Sequence, residues 1–458
     1  MNSRLSEVAA VTAGRLAGAD TAFAGVSIDS RTLKPGELFF ALRGEHFDGH
    51  TFVAIAAGRG AAGAVVEKAG DAPIAQIVVK DAVAALAALA RTWRGRSHAT
   101  VIGVGGSNGK TTTKELLASI LTGAGPTLAT RGNLNNHLGV PLTLLRLEPG
   151  HRFAVIEMGA NHPGEIAALA GLALPAIALV TNAGDEHLEG FGDLAGVAQA
   201  EGEMFAALTA SGVAVINADD PFHELWQKMA RGARQIRFGI EAASEVRATG
   251  LQGRIESGAF VTVFTLVIGG EQARVRLRLA GRHNVMNALG AAAAAHAAGV
   301  PLPQIVAGLE RVNPVNGRLQ LKAGPRGSWL IDDSYNANPS SVRAGIDVLC
   351  SLPGEHWLVL GEMAQLGSHT EASHTGIGDY ARRAGVTRLF AIGAAARLAV
   401  AAFGAHGGWF EDAGRLADAV GAGLDTGVTV LVKGSRVNRL ERVVDRLQQP
   451  LAAAGNGN

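Results

Sequence analysis

The stretch GGSNGKTTTKE, residues 105–115, constrains the fold of this chain more than any other feature of its sequence. It follows the apolar run VIGV and leads into the helical pattern TTTKELLASIL, so it is predicted to join a buried strand to the start of a helix. Backbone N–H groups of such a glycine-rich turn and of the helix N-terminus point at one spot and favour an anion there. This order of strand, turn and helix predicts an α/β fold built on a parallel sheet.

The turn is a short variant of the phosphate-binding motif, GxxGKT, because Val104 stands where the longer motif has its first glycine. Lys110 is predicted to reach the β- and γ-phosphates, and the Thr111 hydroxyl to bind Mg²⁺. A glycine turn with a solvated lysine is the alternative, which the strand before it and the helix after it disfavour. The residues predicted to hold the phosphates are Gly106, Ser107, Asn108, Gly109, Lys110, Thr111 and Thr112. The loop alone does not separate a kinase, a motor, a switch and a ligase.

Length and composition bound the class of protein. A chain of 458 residues exceeds what one core usually organises, so two or three domains are expected. With 48% hydrophobic and 18% charged residues and without a sustained apolar run, it is expected to be soluble, with no signal peptide and no membrane insertion. One cysteine, Cys350, fits a reducing cytoplasm and is expected to be a buried structural thiol. A net charge of +1 argues against nucleic-acid binding.

Three segments are predicted, with boundaries at 1–97, 98–312 and 313–458. The first is a small α/β unit with the strand candidates AGVSI, ELFFAL, GAVVE and QIVV and the helix DAVAALAALARTWRGR. The second alternates helices with the buried strands TVIGVGG, FAVIEM, AIALVTN and VAVINA. The run AFVTVFTLVIGGEQARVRLRLAG is predicted to add an antiparallel hairpin to that unit. The third repeats the rhythm through SWLIDDS, HWLVLGE, RLFAIG and VTVLVKG, as in a doubly wound sheet, and ends in the tail AAAGNGN, predicted to be disordered.

Two further strands end in side chains that could bind a metal. Glu157 closes FAVIE and His187 follows AIALVTN, and ligand sites in open α/β sheets collect at the carboxyl ends of strands. Both are therefore expected near Lys110, although Glu157 could instead cap a helix and His187 could be a surface loop residue. Magnesium prefers oxygen ligands, so a histidine suggests a second metal position. Two cations imply a second anion beside ATP, such as a substrate carboxylate that attacks the γ-phosphate.

Other polar clusters point at the same ligand. The loop GNLNNHLG carries Asn136 among neutral donors, Asn133, Asn135 and His137, that suit phosphate or carboxylate oxygens. In GRHNVMNAL, Asn284 and Asn287 lie one helical turn apart and can face one ligand. Strand SWLIDD ends in Asp332 and Asp333, acceptors for sugar hydroxyls. If this third segment reaches the nucleotide, two domains close over one ATP.

Taken together, these motifs resemble the Mur ligase family. The runs that carry the resemblance are GGSNGKTTTKE, GNLNNHLGVPLTLL, IEMGANHPGEI, NAGDEHLEGFG, GRHNVMNAL, GRL, DDSYNANPSS, GEMAQLG and KGSR, in family order from about residue 25 to 436. The resemblance implies an ATP- and Mg²⁺-dependent amide-bond ligase of peptidoglycan precursor synthesis that adds D-alanyl-D-alanine to UDP-N-acetylmuramoyl-tripeptide through an acyl phosphate. It also implies a cytoplasmic protein, expected to be a monomer, with a UDP-sugar domain, a central P-loop ATPase-like domain and a Rossmann-like C-terminal domain.

The resemblance assigns roles residue by residue. Lys110 and Thr111 would serve ATP and magnesium, with Glu157 and His187 holding metal and Asn136 in the reacting region. It implies that Asn284 and Asn287 contact the adenine of the nucleotide and that Arg318 and Asp333 contact its ribose and phosphate. It also implies that the UDP-sugar is bound by Ser30, Arg31 and Gly44. The relative that adds a diamino acid carries Asp-Asn-Pro-Arg, whereas this chain has Asn336, Ala337, Asn338 and Pro339. That difference favours the dipeptide-adding member, with Asn336 and Asn338 at the substrate.

One position departs from the family pattern. Glu201 stands where the family usually has a lysine, carbamylated so that its carboxylate helps organise a second metal. The glutamate supplies a carboxylate that ends roughly 4 Å short, so it is a metal-site candidate acting through water, or else a helix-surface residue. Two alternatives remain open: a related ligase such as a folyl-polyglutamate synthetase-like enzyme, and a regulatory protein that binds nucleotide without catalysis.

Overall fold

The structure is a computed structural model that describes residues 1–45 and 47–449. Its first unit is a small α/β layer. Its strands are β1 (Ser3–Arg4), β2 (Arg15–Ala17), β3 (Ala22–Phe23), β4 (Val26–Ser27), β5 (Leu38–Phe40), β6 (Gly63–Val66) and β7 (Gln76–Val78), and its helices are α1 (Leu5–Val11), α2 (Val53–Gly58) and α3 (Ala82–Gly95). The sheet runs β2-β7-β6-β5-β4, with β4 to β7 parallel and β2 antiparallel, and β1 pairs separately with β3. Asp81 begins α3 because its side chain accepts hydrogen bonds from the N–H groups of Val83 and Ala84.

The central unit carries a nine-stranded sheet. Its strands are β8 (Thr100–Gly105), β9 (Thr127–Ala129), β10 (Phe153–Glu157), β11 (Ile177–Val180), β12 (Val213–Asn217), β13 (Arg234–Gly239), β14 (Val246–Glu256), β15 (Ala259–Ile268) and β16 (Glu271–Leu277). Its helices are α4 (Lys110–Ala124), α5 (Gly139–Leu144), α6 (Glu165–Ala173), α7 (Leu188–Phe191), α8 (Leu194–Ala206), α9 (His223–Met229), α10 (Arg282–Ala297) and α11 (Leu302–Arg311). The order is β16-β15-β14-β13-β12-β11-β8-β10-β9, parallel except for the antiparallel pairs β14/β15 and β15/β16.

Strand β8 lies between β10 and β11, and this position decides where the site forms. Glu157 is paired in register with Val104, and Val180 with Gly105, so the chain leaves all three strands at one edge of the sheet. On the far side of the loop, the alanine-rich helix α10 is buried along most of its length and packs against α4 and the sheet. A helix that is apolar all round is expected to be buried in this way.

The third unit is a second parallel sheet covered by helices. Its strands are β17 (Gln320–Ala323), β18 (Trp329–Asp333), β19 (Glu355–Gly361), β20 (Arg388–Ile392), β21 (Gly407–Phe410) and β22 (Val428–Lys433), and its helices are α12 (Pro339–Cys350), α13 (Thr370–Ala384), α14 (Ala396–Phe403), α15 (Ala413–Gly423) and α16 (Glu441–Leu447). The order is β17-β18-β22-β19-β20-β21, with β17 antiparallel to an otherwise parallel sheet. Strands β18 and β22 end beside each other, with Asp333 opposite Lys433.

The units are packed together rather than strung along the chain. One cluster of buried apolar side chains runs from Leu5 in α1 to Leu431 in β22. Helix α3 is fixed to the central unit by the indole of Trp93, which donates to the Leu147 carbonyl (2.9 Å), and by Arg94, which donates to the Ala173 carbonyl (2.8 Å). Contacts of the third unit with the phosphate loop are described below.

The α/β architecture with parallel sheets and the antiparallel β15/β16 hairpin are confirmed. The boundaries predicted after residues 97 and 312 fall in the connections between α3 and β8 and between α11 and β17. The sequence reasoning did not find β1, β2, β3, β9, β13, β14, β17 and β21, most of which are short, polar or at sheet edges. The tail AAAGNGN lies outside the described residues. Across residues 1–45 and 47–449, none of the helices has the length and apolarity needed to cross a bilayer.

Candidate active site

The loop between β8 and α4 needs its glycines. Gly106 and Gly109 have φ values of 108° and 85°, in the left-handed region that favours glycine. A Cβ atom on Gly106 would lie 2.2 Å from Thr181 Oγ1, and one on Gly109 would lie 2.1 Å from Asn287 Oδ1. The loop therefore lies directly against the end of β11 and against helix α10.

Protein acceptors hold the first part of this loop. The N–H of Gly106 donates to Glu201 Oε2 (2.6 Å), that of Ser107 to the Asn182 carbonyl (2.9 Å), and that of Asn108 to Asn182 Oδ1 (3.0 Å). The first hydrogen bond of α4 is donated by Thr113 to the Gly109 carbonyl (2.8 Å). The N–H groups of residues 110–112 precede that bond and form the helix N-terminus, where a phosphate would be bound.

Lys110 is folded into the loop. Its Nζ donates to the carbonyls of Gly106 (2.5 Å) and Ser107 (3.0 Å) and pairs with Glu186 Oε1 at 2.9 Å. Burial alone would lower the pKa of Lys110, but the carboxylates around it, led by Glu186 and Glu201, raise it above its ordinary value. Lys110 is therefore a fixed cation that already has a partner.

Glu157 is a buried carboxylate whose two oxygens differ. Oε1 accepts hydrogen bonds from Asn135 Nδ2 (2.9 Å) and from the Thr111 hydroxyl (3.3 Å). Oε2 is buried without a hydrogen-bond partner among the described residues, and Lys114 Nζ lies 3.7 Å away. A buried charged oxygen without a donor is costly. Magnesium commonly takes one or two protein ligands and keeps the rest for water and phosphate, so Glu157 and Thr111 fit this ion.

His187 contributes to the lining of the same small cavity as Glu157. The cavity has a volume of about 210 Å³, and the sequence-predicted residues Lys110, Thr111, Glu157, His187, Arg318, Asn336 and Asn338 all contribute to its lining. His187 adopts a left-handed backbone (φ 51°) just before α7. Burial lowers the pKa of His187, which favours the neutral imidazole that binds metals. The structure thus brings Lys110, Glu157 and His187 to one cleft.

Glu201 has a different position from the other metal candidates. Its side chain is buried in α8, which rules out a helix-surface residue, and burial raises the pKa of its carboxyl to about 7. Within the described chain, Glu201 does not contribute to the lining of the 210 Å³ cavity. In residues 1–45 and 47–449, three or more His, Cys, Asp and Glu side chains nowhere come together in a group that could hold a metal.

A second cavity, of about 530 Å³, continues from the loop toward α10 and the third unit. Asn284, Asn287, Arg318 and Asp333 contribute to its lining, as predicted for nucleotide contacts. Asn287 Nδ2 donates to Asn284 Oδ1 (3.0 Å), and Asn284 Nδ2 donates to the Ala280 carbonyl (2.7 Å). The two amides are thereby oriented before any ligand arrives, and a cavity of this size can enclose a nucleoside.

The third unit contributes directly to both cavities. Asn338 Nδ2 donates to Asn108 Oδ1 (2.9 Å), while Asn338 Oδ1 caps α12 by accepting from the Ser341 N–H. Asp333 pairs with Lys433 Nζ at 2.5 Å, and burial raises the pKa of Asp333 despite this partner. Arg318 stacks over the Tyr335 ring at 4.3 Å. The third unit is thus closed onto the phosphate loop.

Some predicted residues lie elsewhere. Asn136 Oδ1 accepts hydrogen bonds from the N–H groups of Leu138 and Gly139 at the start of α5, and it is the neighbouring Asn135 that contacts Glu157. In the first unit, Arg31 pairs with Asp29, and Gly44 lies against the Phe47 ring. Ser30, Arg31 and Gly44 lie apart from the described linings of both cavities.

Several site residues escaped the sequence reasoning. They are Lys114, Asn182, Glu186, His283 and Lys433. Glu186 directly precedes His187, and Lys114 lies one helical turn after Lys110, so spacing alone could have flagged these two. The partners of Asn182 and Lys433 depend on contacts far along the chain and have no local signal.

Sequence and structure comparisons identify relatives of this chain. Models of the Mur ligase family match residues 22–94 (catalytic domain), 104–295 (middle domain) and 317–436 (glutamate ligase domain). The UDP-N-acetylmuramoyl-tripeptide--D-alanyl-D-alanine ligase of Escherichia coli K12 is 42% identical over 97% of this chain and 98% of its own. A MurF crystal structure from Acinetobacter baumannii superposes with a TM-score of 0.91 at 35% identity, covering 97% of this chain and 98% of that one. MurF ligase from Thermotoga maritima in complex with ADP gives 0.81 at 27% identity, covering 92% and 96%.

Proposed function

This chain belongs to the Mur ligase family, and from that premise we propose that it joins D-alanyl-D-alanine to UDP-N-acetylmuramoyl-tripeptide at the expense of ATP. The observation that carries the proposal is the meeting of Lys110, Glu157 and His187 in one cavity that Asn336 and Asn338 of the third unit close. The similarity to a dipeptide-adding ligase over 97% of the chain supports the choice of substrates. The cell-wall precursor pathway in the cytoplasm is the setting we propose.

A carboxylate is a poor electrophile, so the reaction needs activation. In the proposed mechanism a carboxylate oxygen of the tripeptide attacks the γ-phosphorus of ATP, and ADP leaves. The amine of D-alanyl-D-alanine then attacks the acyl carbon, inorganic phosphate leaves with the C–O electron pair, and the amine gives up its proton. Both steps place negative charge on phosphoryl oxygens beside the loop.

The residues of the loop and the third unit perform distinct parts of this reaction. The N–H groups at the start of α4 bind the phosphates, and Lys110, fixed in the loop, stabilises the negative charge of the transferring phosphoryl group. Glu157, Thr111 and His187 would hold Mg²⁺, which neutralises charge on the phosphates and the carboxylate when bound. Asn284 and Asn287 orient the adenine side, and Arg318 and Asp333 the ribose side. The contact of Asn338 with Asn108 keeps the third unit over the cavity, which excludes water.

The remaining assignments are part of the same proposal. The chain is divided at residues 97/98 and 312/313 into a UDP-sugar domain, an ATP-binding domain and a Rossmann-like domain. Ser30, Arg31 and Gly44 bind the UDP-sugar in the first of these, and the enzyme acts as a monomer. A substrate that spans from the first unit to the loop accounts for the distance of these residues from the two cavities.

The proposal is tested with purified protein, ATP, Mg²⁺, UDP-N-acetylmuramoyl-tripeptide and D-alanyl-D-alanine. ADP release is expected to require both peptide substrates, and mass spectrometry should show a product heavier by one dipeptide minus water. Tripeptides with diaminopimelate and with lysine at the third position, run in parallel, define the acceptor. ADP release with a folate and glutamate instead would favour the related ligase, and nucleotide binding without turnover under either condition would favour a regulator.

A further inference from the structure

Glu201 makes a contact that its family-based role does not explain. Its Oε2 accepts the Gly106 N–H at 2.6 Å, and the side chain is 2% exposed. A Cβ atom added to the preceding residue, Gly105, would lie 2.9 Å from the same oxygen. The carboxylate is therefore pressed against the backbone at the point where β8 becomes the phosphate loop.

Helix α8 holds this carboxylate rigidly. On the same helix, Met204 Sδ would lie 2.9 Å from a Cβ atom on Gly103 in β8, so α8 packs closely on the strand. A Cβ atom on Gly202 would lie 2.4 Å from Met229 Sδ in α9, so the opposite side of α8 is equally tight. A carboxylate carried by a helix packed on both sides has little freedom to move toward another ligand.

Gly106 links Glu201 to Lys110. The N–H of Gly106 donates to Glu201, and the carbonyl of Gly106 accepts from Lys110 Nζ at 2.5 Å. The glycine is held at φ 108° between the two charged groups. Because Gly106 makes both hydrogen bonds, a change in its backbone orientation after loss of the Glu201 contact would also move the carbonyl that accepts from Lys110 Nζ.

The metal candidates and Glu201 have different surroundings. Glu157 and His187 contribute to the lining of the 210 Å³ cavity, whereas Glu201 does not belong to the described lining and accepts the Gly106 N–H instead. From this arrangement we propose that Glu201 is a positioning residue. It holds the phosphate loop ready for nucleotide by fixing Gly106, and it does so through the backbone rather than as a metal ligand. The inference rests on the nucleotide-binding part of the proposed function.

Two substitutions separate a backbone acceptor from a metal ligand. Glu201→Gln keeps an oxygen that can accept the Gly106 N–H but loses the charge, and Glu201→Ala loses both. A hydrogen bond between uncharged groups contributes up to roughly tenfold to an equilibrium constant, and loss of the acceptor also leaves the buried Gly106 N–H without a partner. We expect the Kd for ADP, followed by fluorescence of a labelled ADP, to rise at least about tenfold in Glu201→Ala and to stay within about threefold of wild type in Glu201→Gln.

The metal is measured separately, by electron paramagnetic resonance of Mn²⁺ in the presence of saturating ADP. A positioning role predicts that both variants take up Mn²⁺ at the wild-type midpoint. Glu203→Ala is the matched control, because Glu203 lies on the same helix but accepts from the N–H groups of Gly164 and Ala167 instead. This control should leave the Kd for ADP unchanged. Circular dichroism melting of each variant shows that it is folded at the assay temperature.

The inference is overturned if Glu201→Ala binds ADP as tightly as wild type, or if Glu201→Gln weakens ADP as much as Glu201→Ala does. It is also overturned if either variant shifts the Mn²⁺ midpoint upward, the result expected of a metal ligand. The binding assays do not need the ligation reaction. A wild-type protein that binds ADP but forms no product would overturn the proposed function and leave the Glu201 comparison decisive.

Discussion

Removal of the Lys433 charge tests how the third unit presents Asp333 to the nucleotide. The side chains of Lys433 and Asp333 are 3% and 9% exposed and lie 2.5 Å apart, and Lys433 Nζ also donates to the Asn336 carbonyl at 3.0 Å. Lys433→Met keeps the length of the side chain but leaves the Asp333 carboxylate buried and unpaired. Breaking a buried pair from one side costs about 3–5 kcal/mol.

Hydrogen exchange of the peptides that contain β18 and β22 measures this loss, since it reports the local opening free energy. A loss of about 3–5 kcal/mol corresponds to a fall in protection of roughly 10²- to 4 × 10³-fold in this part of the sheet. Adding Asp333→Asn to Lys433→Met removes the unpaired charge and keeps the acceptor for the Leu319 N–H. The double variant should therefore recover at least about 2 kcal/mol relative to Lys433→Met.

The Lys322 and Asp332 pair on the same sheet is a matched control. These groups lie 2.8 Å apart, but Lys322 is 23% exposed and Asp332 keeps hydrogen bonds from the Ser334 backbone and hydroxyl. Lys322→Met should cost about 1 kcal/mol or less. Wild-type protection in Lys433→Met, or a double variant no better protected than that single one, would refute the reasoning.

Three further perturbations address the loop and the nucleotide cavity. Lys110→Met should lower kcat by about 10²- to 10³-fold, because a fixed cation at the transferring phosphoryl group is lost, and normal turnover would contradict its assignment. Gly109→Ala should raise the Kd for ADP at least about tenfold, because the new Cβ would lie 2.1 Å from Asn287 Oδ1. Gly132→Ala is the control: Gly132 has a φ of 55° but open space around it, so this variant should leave the Kd for ADP nearly unchanged. Burial lowers the pKa of His283 from 6.5 to about 4, so the unfolded chain binds its proton more readily. The neutral form of His283 therefore contributes to the stability of the folded protein above pH 6.5, and this contribution is lost as the pH falls toward 4. The melting temperature of His283→Gln should depend less on pH across this window than that of wild type. Parallel profiles of melting temperature against pH would show that His283 does not contribute.

The sequence predicted elements whose signal is local. Strand β8, its glycine turn and α4 follow from the apolar run, the spaced glycines and the helix pattern of residues 100–124, and the structure has all three. The ends of β10 and β11 could be placed near Lys110 because parallel strands of one sheet end at the same edge. Short edge strands such as β9 and β21 bury too few residues to produce a periodic pattern.

Contacts set by the tertiary structure could not be predicted. Asn135 and Asn136 are adjacent and chemically identical, and only the backbone of their loop decides that Asn135 contacts Glu157 while Asn136 accepts the Gly139 N–H. Glu201 reaches a backbone N–H that is 95 positions away in the sequence, so its surroundings depend on how α8 packs on β8. The residue type shows which interactions a side chain can make, whereas the tertiary packing determines which neighbour it contacts.

The ion pair between Lys110 and Glu186 affects which anions the phosphate loop can bind. An anion that enters must compete with a carboxylate that already neutralises the lysine. Orthophosphate has only its charge to favour its binding, whereas a nucleotide gains further binding free energy from base and sugar contacts in the adjoining cavity. An enzyme that releases phosphate in every cycle is in this way less open to occupation of the loop by that phosphate than by a nucleotide.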